Sequence, residues 1–191
     1  MASKVDTHPN FNIQQLLASV DAYNVDMNHF AALDFTTGQL DYTEDGDVDG
    51  IQTSQRPTRK IIGTSGLASC SGVVVLTQTR AVVAHYSCQP FIEDDFIKYL
   101  ADHRAQLQNS KAWIMHRLSS DLDGPVDAKE NDTFSQRLED ILKKDLGIDK
   151  KNITVLKYNQ ARDDQVEDEK GQGIIVVDGR NSPATVYARG F

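Results

Sequence analysis

Apolar side chains at Ile13, Leu16, Leu17 and Val20 recur three and four residues apart within "FNIQQLLASVDAY". This stripe predicts an amphipathic helix over residues 11–23 whose apolar face packs on a larger body. The next segment, "NHFAALDFTTG", reads as a short strand, and "QLDYTEDGDVDGIQTSQRPTR" is acidic, glycine-bearing and aperiodic, the texture of a loop. From Lys60 the chain changes to short β-branched runs, "KIIGTS", "GVVVLTQ" and "AVVAHYS". The last two lie so close together that an antiparallel hairpin turning about Thr79 is expected.

Beyond Pro90 the period lengthens again. In "EDDFIKYLADHRAQLQ", Phe96, Leu100 and Leu107 share one face and acids stand at the start, which predicts a helix of about four turns. "KAWIMHRLS" is a strand, and "DLDGPVDAKEND" a loop with a turn at Asp123-Gly124-Pro125. In "NDTFSQRLEDILKKDLG", Phe134, Leu138, Ile141, Leu142 and Leu146 form a helical stripe, with Lys143 and Lys144 in its last turn and Gly147 as C-cap. "NITVLKYN" is a strand, "ARDDQVEDEKGQ" an acidic loop, and "GIIVVDG" with "PATVYAR" a terminal strand pair. Helices and strands do not alternate regularly, so the expected class is α+β, with mixed β-sheet layers flanked by helices. Residues 1–58 are expected to be an amino-terminal helix and acidic loop, packed on or appended to a core of residues 59–191.

Composition narrows the classes of function. A chain of 191 residues suits one domain with a substantial core. Its formal charge of −8 opposes phosphate binding, which relies on clustered Lys and Arg, so nucleic acid is not an expected partner. No apolar run is long enough to span a membrane, and the start lacks a secretory pattern. The expected location is the cytoplasm, or outside the cell by a route that needs no classical signal. Two cysteines, Cys70 and Cys88, are too few for a disulfide scaffold.

The chemistry that these residues suggest begins at Cys70, set in "GTSGLASCSGVVV", with His85 fifteen residues later in "AVVAHYS". A thiol becomes a strong nucleophile when a neighbour takes its proton, and an imidazole can do so. Small residues around the cysteine let backbone N–H groups approach a developing oxyanion. The competing reading is structural: a cysteine entering an apolar strand is commonly core, and a strand histidine commonly bonds internally.

The string "TSGLASCSGVVVLTQTRAVVAHYS" resembles the glutamine deamidase superfamily, which contains the CheD-type chemoreceptor deamidases and the cytotoxic necrotising factor toxins. The resemblance covers roughly residues 60–90. It rests on a cysteine after a small-residue turn, heading an apolar strand, with a histidine on the next strand and a threonine six residues before the cysteine. These positions are Cys70, His85 and Thr64. It implies a thiol amidohydrolase that deamidates glutamine in a protein substrate through a thioester, without metal or organic cofactor. Cys70 would attack, His85 would carry the proton, and Thr64 would orient the imidazole. The acidic segment around Asp45 would help recognise a basic partner. Ser71 after the cysteine and the unmatched amino-terminal segment depart from the pattern.

Other uses of the same residues compete with this one. A hairpin mirrored about Thr79 sets residue 70 against 88 and His85 against Val73, so Cys70 and Cys88 could form a reversible disulfide. That mirror requires Cys70 to lie in an irregular turn if it is to meet His85. A noncatalytic partner-binding protein of the same fold is a second reading, and a metal-dependent enzyme using Cys70, His85 and His116 a third. "DGDVDG", Asp45 to Gly50, matches half of a calcium loop but has Arg56 at its twelfth position. A solvated acidic loop is the expectation there, and likewise for "EDEKGQG".

Overall fold

The computed structural model describes residues 12–43, 58–68, 70–87, 94–117, 125–158 and 173–189. Within them the chain runs α1 (Ile13–Leu17), β1 (Ala22–Asn24), β2 (His29–Asp34), β3 (Gln39–Thr43), β4 (Ile61–Leu67), β5 (Ser71–Leu76) and β6 (Arg80–Tyr86). It continues with α2 (Asp94–Asp102), β7 (Lys111–Arg117), α3 (Pro125–Lys144), a 3-10 turn (Lys150–Asn152), β8 (Ile153–Tyr158), β9 (Gly173–Asp178) and β10 (Thr185–Arg189).

The strands form a smaller sheet in the order β1-β4-β9-β10 and a larger one in the order β3-β2-β6-β5-β7-β8. Each sheet is mixed: β1 runs parallel to β4 and β8 parallel to β7, while the other neighbours are antiparallel. The alternation of side chains builds three apolar layers. Between the sheets lie Leu33, Ile62, Val74, Val83, Trp113 and Ile175, among others. On the outer face of the larger sheet, Val73, Val82 and Ile114 meet Phe96 and Leu100 of α2 and Leu138 and Leu142 of α3. On the outer face of the smaller sheet, Ile61 and Val176 meet Ile13 and Leu16 of α1. The result is an α+β sandwich of two sheets with helices on both outer faces.

Several boundaries differ from the sequence expectation. The first helix is five residues long, capped by the Asn12 side chain on the N–H groups of Gln14 and Gln15. It stops because the Ser19 hydroxyl donates to the Leu16 carbonyl, and residues 22–24 gain more as a strand beside β4. Val20, expected on the buried stripe, is 91% exposed. Gln39–Thr43, expected in a loop, is an edge strand on β2 after a turn in which the Asp34 carboxylate accepts the N–H groups of Thr36 and Thr37. An edge strand is half solvated and can be polar, which is why its sequence resembles a loop. α2 is shorter than the expected four turns, closing in irregular turns that still bury Leu107. α3 begins at Pro125, inside the expected loop, where proline suits a first helical position because its missing N–H would lack a partner anyway. Its stripe of Leu138, Leu142 and Leu146 is buried, Ile141 is half-buried, and Gly147 follows it at φ +68°.

The described part of residues 1–58 is built into both sheets: β1 pairs with β4, and β2 pairs with β6. Asp45–Gly50, Arg56, Cys88 and the acidic stretch from Ala161 to Gln172 lie outside the described residues.

The layers make a prediction about stability. Leu100→Ala, which opens a cavity between α2 and the sheet, should destabilise the protein by about 2–5 kcal/mol. Val20→Ser on the open surface should change stability by no more than about 0.5 kcal/mol. Urea unfolding curves with unchanged slope check both.

Candidate active site

Cys70 lies where the chain passes from one sheet to the other, between Leu67 at the end of β4 and Ser71 at the start of β5. The crossover starts from a bulge: the pairing of β4 with β9 slips between Thr64 and Leu67, and Gly66 sits at φ +73°. A left-handed residue is needed there, and glycine takes that conformation without a Cβ clash. The buried Tyr158, at the end of β8, donates its hydroxyl to the Cys70 carbonyl at 2.5 Å. The cysteine backbone is therefore anchored from the far edge of the larger sheet.

The hairpin register corrects the expected one by one residue. The turn uses Gln78 and Thr79, closed by the Thr77 N–H on the Arg80 carbonyl, so His85 stands opposite Gly72 rather than Val73. A slip of one residue exchanges the faces of a strand. Here it puts Gly72 on the His85 side, and Cys70, two residues earlier, belongs to the same inter-sheet layer. Gly72 has no side chain of its own, and the volume above it is filled by Leu67, Ile175 and Thr64, whose nearest atoms lie 3.0, 3.2 and 3.6 Å from where a Cβ would stand.

Thr64 reaches His85 across the gap between the sheets. Its Oγ1 lies 2.7 Å from His85 Nδ1 and donates to the Val25 carbonyl at 2.8 Å. A hydroxyl has one proton, and here it is committed to Val25, so the Thr64 oxygen is an acceptor toward the ring. His85 Nδ1 accordingly carries the hydrogen, and the lone pair belongs to Nε2. That Nε2 is buried and makes no hydrogen bond among the described residues.

Electrostatics agree with a neutral ring. Burial pushes the His85 pKa down to about 4, against the opposing pull of the Val25 carbonyl and the Asp26 charge. Both candidate side chains are nearly closed off, Cys70 at 5% and His85 at 4% exposure. The structure thus brings Thr64 and His85 into direct contact and sets Cys70 in the same layer, with no bond to Nε2.

His116 does not join them. On β7, Trp113 and Met115 face the inter-sheet core while Ala112 and Ile114 face the helices, so alternation puts His116 on the helix side. The Cys70, His85 and His116 metal reading fails on this geometry. Among the described residues no cluster of three or more His, Cys, Asp or Glu side chains could hold a metal ion. Sequence reasoning missed the Val25 carbonyl and Tyr158. The one signal for Tyr158 was a lone tyrosine at the end of the strand "ITVLKY".

The histidine gives a signed pH dependence. His85 binds a proton more weakly in the folded chain than in the unfolded one, so its contribution is fully present above the ordinary value of 6.5. As pH falls from 6.5 to about 4, protonation of the unfolded state should remove up to roughly 3 kcal/mol of stability. His85→Gln should flatten that part of the stability curve. Thr64→Val should cost about 1–3 kcal/mol by stranding the ring N–H and the Val25 carbonyl, and Thr64→Ser should cost less. Nitrogen-15 spectra of the imidazole check the tautomer directly: a hydrogen found on Nε2 would contradict the assignment.

Scanned against models of known families, the chain matches none, and no curated protein matches its sequence. Among solved structures it is similar to the C-terminal domain of CNFy from Yersinia pseudotuberculosis, at 14% identity and a TM-score of 0.28. That alignment covers 69% of this chain and 48% of the other, about half its length.

Proposed function

We propose that this protein is a cysteine-dependent amidohydrolase that deamidates a glutamine side chain of a protein substrate. The observation that carries the reading is the contact of His85 Nδ1 with Thr64 Oγ1, beside an Nε2 that has no hydrogen-bond partner among the described residues and lies in the layer that holds Cys70; it assigns the hydrogen to Nδ1 and the lone pair to Nε2. A general base needs that lone pair, and an orienting acceptor on the other nitrogen keeps it in place.

In this mechanism the Cys70 thiol gives its proton to His85 Nε2 as sulfur attacks the carboxamide carbon. The resulting imidazolium returns the proton to nitrogen as the C–N bond breaks and ammonia leaves. Water then attacks the thioester with Nε2 again as base, releasing glutamate and the free thiol. The depressed His85 pKa disfavours a resting thiolate–imidazolium pair, so proton transfer accompanies attack. Thr64 is a positioning residue in this scheme, and the Tyr158 bond fixes the backbone from which the nucleophile projects.

The burial of both side chains favours a second reading, a partner-binding protein of the same fold in which Cys70 is core. No helix among the described residues is long and apolar enough to cross a membrane.

The two readings separate on one experiment. With an unfolded glutamine-rich polypeptide as probe, the wild type should release ammonia and convert glutamine to glutamate, and Cys70→Ala and His85→Gln should abolish both while remaining folded. kcat/KM should stay flat on the acid side until pH approaches about 4, where the imidazole can no longer accept a proton. Activity retained in Cys70→Ala would sink the deamidase reading. A folded wild type that neither releases ammonia nor alkylates at Cys70 would establish the second.

A further inference from the structure

A cleft of about 430 Å3 opens at the same end of the sandwich, on the opposite face of the smaller sheet from Thr64. Ile174 lines its apolar part, α1 supplies Gln14, and Asn24, Ser65, Gly66 and Arg189 contribute polar groups from β1, β4 and β10. Asn24, Ser65, Ile174 and Arg189 share the outer face because alternation puts them with Ala22, Ile61, Val176 and Tyr187. Thr64 and Ser65 are consecutive residues, so one strand serves the inter-sheet site with one side chain and the cleft with the next.

Arg189 is the unusual member. Its Nε is buried and has no hydrogen-bond partner among the described residues, and no acid there pairs with its guanidinium. A permanently charged guanidinium that no acid among the described residues pairs is ready to take an anion, and its side chain lines the cleft. Among the described residues no acidic side chain lines the cleft, so they give it a positive formal charge inside a chain whose net charge is −8.

We propose that this cleft binds a carboxylate, held by the terminal nitrogens of the Arg189 guanidinium, with the Ser65 hydroxyl within the same lining. A planar guanidinium edge presents two parallel N–H groups that match the two oxygens of a carboxylate. One guanidinium, with no lysine or second arginine among the described lining residues, suits a singly charged group better than a tetrahedral phosphate. The volume is that of a small-molecule site, enough for one amino-acid-sized ligand or one acidic side chain. The proposal stands on the cleft alone and does not require Cys70 to be a nucleophile.

Titration of the nitrogen-15-labelled full chain with acetate, L-glutamate and inorganic phosphate tests it, read at the Arg189 Nε–H and the Ser65 and Gly66 amides. The carboxylates should shift all three signals together and saturably. Arg189→Gln should lose the response, and Arg189→Lys should weaken it roughly tenfold, because lysine lacks the fork. Should an Arg189 variant fail to fold, Ser65→Val, which narrows the cleft, should weaken binding in its place. Cys70→Ala should bind as the wild type does, so an inactive enzyme and an empty cleft are separate results. No saturable shift, equal shifts in Arg189→Gln, or a response to phosphate but to neither carboxylate would each overturn the assignment.

Discussion

A single chain of hydrogen bonds crosses the dry space between the two sheets: His85 Nδ1–H to Thr64 Oγ1, and Thr64 O–H to the Val25 carbonyl. Thr64 and His85 are buried beside the apolar inter-sheet core, where water is scarcely available as an alternative partner. Low polarity makes such a relay strict, since breaking one bond strands two buried groups. The relay therefore fixes how β4 of one sheet faces β6 of the other at this end of the sandwich. It also decides which ring nitrogen keeps a lone pair. One constraint orders the packing and the protonation state together.

The same end of the molecule collects the other polar features. The β4 bulge at Gly66 redirects the chain across the sheets, Tyr158 holds the Cys70 carbonyl, and the cleft bordered by Arg189 opens on the far side of β4. The central strands β5 and β6 are by contrast buried on both faces, as strands between two layers must be. Aromatic contacts such as Phe30 against Phe96, with ring centroids 5.5 Å apart, hold α2 on the larger sheet well away from the relay. Rigid strands carry the polar groups, and a short crossover carries the cysteine.

How far this was legible from sequence depended on how buried each segment is. Strands buried on both faces announced themselves as β-branched runs, which is why β4, β5, β6 and β9 could be read directly. Edge strands could not: β1 is three residues long and β3 is polar, and both owe their state to a neighbouring strand rather than to their own pattern. Thr64, Cys70 and His85 were singled out together by a resemblance in the sequence, whereas the hydrogen bond between Thr64 and His85 became visible only in three dimensions. The register was missed by one residue because Gln78 and Thr79 make a two-residue turn where symmetry about Thr79 implied three. That single residue changes which face His85 shares with the strand carrying Cys70. Val25 escaped notice altogether, since its role belongs to its carbonyl and any residue offers one.

Burial of the candidate pair sharpens what kind of chemistry it can perform. Cysteine and histidine in a polar cleft can rest as an ion pair, with the charges solvated. Here the surroundings disfavour the imidazolium, and a thiolate in the same layer would also have to form away from water. A neutral imidazole is the state this environment stabilises. In the proposed mechanism, reactivity would depend on a substrate whose developing oxyanion and departing ammonia bring charge of their own, so that proton transfer to Nε2 would occur as the bond to sulfur forms. Selectivity in that scheme would come from the coupling of attack to proton transfer, with the Thr64 relay keeping the accepting lone pair in place.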